Sequence, residues 1–241
     1  IEYNPFEAIK TNVVGSQNVI DSCLTNNVEK VICVGTDKAV SPLNTYGATK
    51  LLMEKLFITA SNYLNPDRHK TKFLAVRYGN VLGSNGSVIP KISEQIKSGE
   101  KITITDPKMT RFNITMKEAL DLIERATKNG NGGEVFIPKL VAYKLSDLKN
   151  ALCEIFNKQI EEEIISVRPG EKFHETLINL DELRNTVESD MDYILYNDLT
   201  KNVNKYPITS LKEQYSSDNV QLLSKDEIKN IIQNEKILEI N

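Results

Sequence analysis

Two short, unbroken apolar runs, Val31-Ile32-Cys33-Val34 and Phe73-Leu74-Ala75-Val76, constrain the fold of this chain more than any other feature. Neither run alternates apolar with polar residues, so each suits a strand covered on both faces, the habit of a parallel sheet flanked by helices. The stretches around them have helical spacing. Over residues 5–27, Ile9, Val13, Val14, Val19, Ile20 and Leu24 recur near the 3.6-residue period. Asn4 stands before Pro5 as a cap, with proline in the first turn. Residues 46–63 repeat the pattern with Leu51, Leu52, Leu56 and Tyr63. Helix, strand, helix, strand implies crossover units and a doubly wound α/β sheet. Glycine-bearing loops follow both runs, at Gly35 and at Gly79–Gly86. They fall at the carboxyl ends of the strands, where such sheets bind ligands.

Further on, Thr115-x-x-Glu118 reads as a capping box opening a helix that runs to Gly130. Val135-Phe136-Ile137 is a strand candidate. Ser146 is expected to cap a helix whose apolar side holds Leu148, Leu152, Ile155 and Phe156. Ile164–Val167 is expected to form a strand before Arg168-Pro169-Gly170. Beyond about residue 180 the chain is polar and weakly patterned, and it ends in a charged helix over roughly 224–238.

Composition narrows the function classes. The 241 residues are 40% hydrophobic and 26% charged, with a net charge of -3. No field of that sign draws the chain to nucleic acid or to an anionic membrane. Cys23, Cys33 and Cys153 are odd in number and widely spaced, which argues against a disulfide framework and for a reducing, cytoplasmic setting. With two histidines, His69 and His174, no histidine-rich metal site is expected. No apolar run approaches the about 18 residues that suggest a membrane span. Ile1-Glu2-Tyr3 shows neither an initiator Met nor a signal pattern, so the chain is expected to begin mid-protein.

The sharpest chemical signal is Tyr46-Gly47-Ala48-Thr49-Lys50. Residues four apart on a helix share a face, so Tyr46 and Lys50 are neighbours. An ammonium beside a phenol favours the phenolate, which lets a tyrosine act as a base. By itself a Tyr-x-x-x-Lys pair is common on solvated helices. Its context is Gly35-Thr36-Asp37-Lys38, which leaves a buried strand at the sheet's ligand edge. A hydroxyl, a carboxylate, an ammonium and a phenol from two adjacent segments can move protons at more than one atom.

Strand, Ser/Thr and Tyr-x-x-x-Lys in this order resemble the extended short-chain dehydrogenase/reductases, and Arg77-x-x-Asn80-x-x-Gly83 matches a motif of that family. Thr36-Asp37-Lys38-Ala39, Tyr46–Lys50, Arg77-Tyr78-Gly79-Asn80-Val81, Gly86-Ser87-Val88-Ile89-Pro90, Met109-Thr110-Arg111-Phe112 and Arg168-Pro169-Gly170-Glu171-Lys172 narrow the likeness. They resemble the polysaccharide-biosynthesis branch that includes the inverting UDP-N-acetylglucosamine 4,6-dehydratases. The resemblance runs from residue 1 to about 178 and returns weakly at Tyr215-Ser216-Ser217.

The resemblance implies a Rossmann-like sheet lacking its N-terminal part, with a smaller C-terminal substrate-binding region. Residues 1–80 are expected to be the later half of an NADP-binding domain. Residues 81–241 are expected to be mainly substrate-binding, with parts returning to the sheet. NADP is the implied cofactor and a UDP-sugar the implied substrate. Tyr46 and Lys50 would take the proton of the sugar C4 hydroxyl and border the cofactor. Lys38 would remove the C5 proton, Asp37 would help water leave C6, and Thr36 would orient a substrate oxygen. Val81, Leu82 and Gly83 would border the nicotinamide. Asn80, Val88, Arg111, Arg168, Glu171 and Lys38 would touch the substrate. Tyr at position 46 points to the C5-inverting enzymes, and relatives imply a homo-oligomer. A UDP-sugar 4-epimerase is the nearest rival, and a non-catalytic nucleotide-sugar or subunit-binding module is the alternative of another class. The sequence departs from the family in lacking the Gly-x-x-Gly-x-x-Gly fingerprint. At about 30 residues per βαβ unit, about 90 residues are expected to precede this chain, which is expected to fold poorly without them.

Overall fold

Asn4 accepts a hydrogen bond from the Glu7 amide and Pro5 fills the first turn, so the chain enters a helix at the residue its capping pattern indicates. In this computed structural model the described residues are 2–63, 69–84, 86–167, 170–197 and 206–238. The first helix runs as α1 (Pro5–Ala8), a π-helical turn (Ile9–Val14) and α2 (Gly15–Thr25). β1 (Lys30–Val34), a 3₁₀ turn (Asp37–Ala39), α3 (Thr45–Thr59) and β2 (Lys72–Val76) follow. Next come α4 (Val88–Ser98), β3 (Ile102–Ile104), β4 (Thr110–Phe112), α5 (Met116–Asn129) and β5 (Glu134–Pro138). The remainder is β6 (Ala142–Lys144), α6 (Leu145–Ile155), β7 (Glu162–Ile164), β8 (Thr176–Ile178), α7 (Leu180–Leu183), β9 (Thr186–Glu188), β10 (Asp192–Tyr196), β11 (Tyr215–Ser216) and α8 (Lys225–Asn234).

These elements form two compact units. The first comprises Ile1–Tyr78, Ala119–Lys139 and Thr176–Tyr215. It holds a five-stranded sheet ordered β1-β2-β5-β10-β9. β1, β2 and β5 are parallel, with Val34 opposite Val76 and Ala75 opposite Val135. Phe73 to Val76 have no exposed surface, as an unbroken apolar run requires. Leu122 and Ala126 of α5 pack on Leu74, Val76, Phe136 and Ile194. The second unit comprises Gly79–Glu118, Leu140–Glu175 and Ser216–Asn241. Its core gathers Ile89, Ile92 and Ile96 of α4, Leu148 and Leu152 of α6, and Ile228 and Ile232 of α8.

Several elements differ from the sequence reading. The sheet is mixed, because β10 runs antiparallel to both β5 and β9. β9 and β10 both come from the polar, weakly patterned stretch beyond residue 180. β10 opens on Asp192, a buried carboxylate that Arg125 neutralises through two 2.7 Å hydrogen bonds, so a polar residue starts a strand that is buried throughout. Ser146 is not a cap. Helix α6 opens at Leu145 after Lys144. The expected strand at 164–167 lies earlier, at Glu162–Ile164, and is exposed. The capping box at Thr115 forms, with Glu118 accepting from the Thr115 amide at 2.7 Å. A second one opens the charged terminal helix at Ser224.

Candidate functional site

Gly35 takes the chain out of β1 in close contact with β2. Its amide donates to the Val76 carbonyl at 2.7 Å, and a Cβ would stand 2.8 Å from that oxygen and 3.3 Å from Glu54 Oε2. Thr36 is extended and starts the 3₁₀ turn, accepting from the Lys38 amide. Its hydroxyl donates to Asp37 Oδ1 at 2.8 Å, and the Asp37 amide donates to the Tyr78 carbonyl at 3.1 Å. Asp37 is 1% exposed. Lys38 Nζ meets Asp37 Oδ1 at 3.0 Å while part of its side chain stays in solvent. The buried carboxylate therefore has the ionic partner that burial demands.

Helix α3 is docked onto this turn. Asn44 caps it, accepting from the Gly47 amide at 2.8 Å. The Glu2 carboxylate accepts from the Thr45 and Tyr46 amides, each at 3.1 Å, so protein acceptors satisfy the open helix start. Those amides, Thr45 first, hold the Glu2 carboxyl below its usual range. At Gly47 a Cβ would overlap the Lys38 carbonyl oxygen and lie 2.9 Å from Pro42 Cβ. Glycine thus lets the first turn of α3 rest on the Lys38 peptide, which brings Asp37–Lys38 and Tyr46–Lys50 into one region. Lys50 Nζ lies 5.9 Å from the Tyr46 ring centroid, at the outer edge of cation–π range. It also reaches Met53 Sδ at 3.7 Å.

Behind this face, Glu54 continues the Tyr46, Lys50 series by one more turn. Arg77, with no exposed side-chain surface, donates to Glu54 through Nε at 2.9 Å and Nη2 at 2.6 Å. Its other edge donates to both Glu182 carboxylate oxygens at 3.0 Å and to the Leu177 carbonyl at 2.8 Å. Burial opposes the guanidinium charge, but Glu54 and Glu182 override it and hold the group far above its ordinary range. Burial also opposes the Glu182 charge, and Arg77 overrides it, keeping that carboxyl low. Asn12, in the π-helical turn, donates to Thr49 Oγ1, which donates to the Tyr46 carbonyl, both at 3.0 Å. The sequence reading missed Glu2, Asn12, Glu54 and Glu182. For Glu54 a signal existed in its four-residue spacing from Lys50. Asn12 has none, because nothing in the sequence announces the π turn.

The expected binding residues of the second unit are placed as follows. Asn80 is exposed. Val81 bridges to Ile114, and the Leu82 amide donates to the Ile114 carbonyl at 2.9 Å. Leu82 belongs to the unit's core, and half-buried Val88 packs against it from the first turn of α4. Gly83 has φ +73°, and a Cβ there would run into the Ile237 side chain. Arg111 is buried and donates to the carbonyls of Thr110 at 2.7 Å and Phe173 at 3.1 Å, and to Glu171 Oε1 at 3.3 Å. Thr105 also donates to Glu171. Arg168 lies outside the described residues.

Among the described residues no cluster of His, Cys, Asp and Glu could hold a metal, and no helix is long and apolar enough to cross a membrane. The donor set does suit the ribose end of a nicotinamide nucleotide. Among the described residues the Lys50 ammonium finds a thioether and an aromatic face but no oxygen acceptor, as a group that serves a ligand hydroxyl should.

The parallel strands β1, β2 and β5, with a Tyr-x-x-x-Lys helix docked at their carboxyl edge, define an extended short-chain dehydrogenase/reductase. Within that class the chain belongs to the polysaccharide biosynthesis protein family, whose model matches residues 1–197. It is 41% identical to a UDP-N-acetylglucosamine 4,6-dehydratase (inverting) of Campylobacter jejuni over 90% of this chain and 67% of that protein. It is 39% identical to a UDP-glucose 4-epimerase of Rickettsia rickettsii over 96% of this chain and 69% of that one. An uncharacterized membrane protein of Methanocaldococcus jannaschii is 42% identical over 96% of this chain and 69% of its own length. The X-ray structure of Pen from Bacillus thuringiensis superposes with TM-score 0.90 at 40% identity, covering 98% of this chain and 71% of that one.

Proposed function

We propose that this chain carries the catalytic residues of an NADP-dependent UDP-N-acetylglucosamine 4,6-dehydratase, a cytoplasmic homo-oligomer. The observation that carries the reading is the ion pair of buried Asp37 with Lys38, packed under the helix of Tyr46 and Lys50. Tyr46 takes the proton of the sugar C4 hydroxyl, and Lys50 stabilises the phenolate. The nicotinamide cofactor supplies an acceptor for hydride from C4 and a donor for its return at C6. The 4-ketone makes the C5 proton acidic, and Lys38 removes it. Asp37 protonates the C6 hydroxyl, which leaves as water. A base and an acid are both needed here, and one proton shift across the 3.0 Å contact turns the ion pair into amine and carboxylic acid. Thr36, bonded to Asp37, fixes that carboxyl.

On this reading residues 1–80 belong to the cofactor domain and residues 81–241 mainly bind substrate. Asn80, Val88, Arg168 and Glu171 hold the nucleotide sugar, Val81, Leu82 and Gly83 border the nicotinamide, and Arg111 fixes Glu171 while adding positive charge for the diphosphate. Support comes from the Campylobacter relative, whose name states this reaction. The Rickettsia relatives favour a second reading, a UDP-sugar 4-epimerase. That reaction needs Tyr46 and Lys50 but gives Asp37 and Lys38 no proton to move. Mass spectrometry of the product separates the two: loss of one water supports the dehydratase, and an unchanged mass rules it out.

A further inference from the structure

The cluster of Arg77, Glu54 and Glu182 takes no part in the proton transfers above, and its burial is not an argument for stability. Apolar residues of similar volume in place of a buried ion cluster often leave a protein equally or more stable. What ions add is direction, because an arginine fork accepts a carboxylate in one geometry. Here the fork binds two carboxylates at once. Glu54 follows Lys50 by one helical turn and Tyr46 by two, all on one face of α3. Arg77 follows β2 directly, between Val76, whose carbonyl holds the Gly35 amide, and Tyr78, whose carbonyl holds the Asp37 amide. Gly35 itself lies against Glu54 Oε2. Glu182 is fixed by its capping box with Asn179. The cluster therefore clamps, from one point, the strand exit that leads to Asp37–Lys38 and the helix that carries Tyr46–Lys50.

We propose that Arg77, Glu54 and Glu182 are positioning residues that set the spacing between the Asp37–Lys38 pair and the Tyr46–Lys50 pair. This inference rests on the dehydratase reading. Oxidation at C4 uses one pair and elimination uses the other, so a slip between them slows the second step more than the first. The substrate is then oxidised but not dehydrated, and reduced cofactor is left behind. A mere loss of folded protein lowers both steps alike and leaves their ratio unchanged.

The test compares the full-length enzyme with Glu54→Gln, Glu182→Gln and the apolar triple variant Glu54→Leu/Arg77→Met/Glu182→Leu, using UDP-N-acetylglucosamine. Positioning predicts a kcat loss of about 10- to 100-fold in Glu54→Gln, with KM within about threefold of wild type. It also predicts a clear rise in reduced cofactor per product formed. Amide hydrogen exchange over residues 35–50 becomes faster in each folded variant. The triple variant, which restores packing without direction, stays folded and stays impaired. A folded triple variant with wild-type kcat and wild-type cofactor ratio would overturn the proposal. Should Glu54→Gln not fold, Glu182→Gln and the triple variant decide on the same readouts. If the wild-type enzyme itself turns over no substrate, the functional reading fails. The exchange data still decide then, and unchanged exchange in Glu182→Gln overturns the clamp.

Discussion

Gly47 shows how a single missing Cβ fixes the site. With the Lys38 carbonyl filling the place of that atom, Gly47→Ala must push α3 away from the 3₁₀ turn. Overpacking of this kind costs about 1–3 kcal/mol, so urea denaturation should show a loss of that size, with activity falling further than stability. Lys38→Met separates the two halves of the chemistry. It should abolish water loss while leaving hydride transfer from C4, seen as reduced cofactor that builds up on adding substrate; full turnover would remove Lys38 from the mechanism. Arg77→Met leaves the carboxylates of buried Glu54 and part-buried Glu182 without their cation, and about 3–5 kcal/mol of stability should disappear, read from denaturant melts. Residues that act through spacing, such as Tyr46 and Lys50, were legible because helical periodicity places them together. Glu182 was not, since it meets Arg77 across 105 positions of sequence.

At the scale of elements, long periodic helices and unbroken apolar strands declared themselves. The first helix, α3, α5 and β2 fall close to where their patterns put them. What failed were elements whose burial depends on a distant partner. Strand β10 begins at Asp192, which is buried only because Arg125 of α5 reaches it. The neighbouring strand β9 ends at Glu188, whose carboxylate is held down to about 2 by the Lys139 ammonium, with help from the Ser210 amide and hydroxyl. Its ordinary value is 4.5, so the folded state gains stability from the ionised form above that pH. That gain is lost as pH falls from 4.5 through about 2. Urea midpoints measured over this window should drop for the wild type and drop less for Lys139→Met. Equal slopes would show that Glu188 contributes no such dependence.

At the scale of the whole molecule, both units are discontinuous. The first draws on three separate stretches, and so does the second. Periodicity within a window cannot show that a chain leaves one unit at Tyr78 and rejoins it at Ala119. The candidate site was more legible than the topology, because Thr36–Lys38 and Tyr46–Lys50 lie within 15 consecutive residues on one strand exit and one helix. The central claim is that two pairs of proton carriers serve one sugar, one pair for oxidation and one for elimination. The most direct test is to incubate the full-length protein with UDP-N-acetylglucosamine in deuterated water and record the product by NMR. The account predicts a 4-keto-6-deoxy sugar with deuterium at C5, in the inverted configuration. A 4-epimer that retains its C6 hydroxyl and takes up no deuterium at C5 would contradict it and leave the Asp37–Lys38 pair without a reaction.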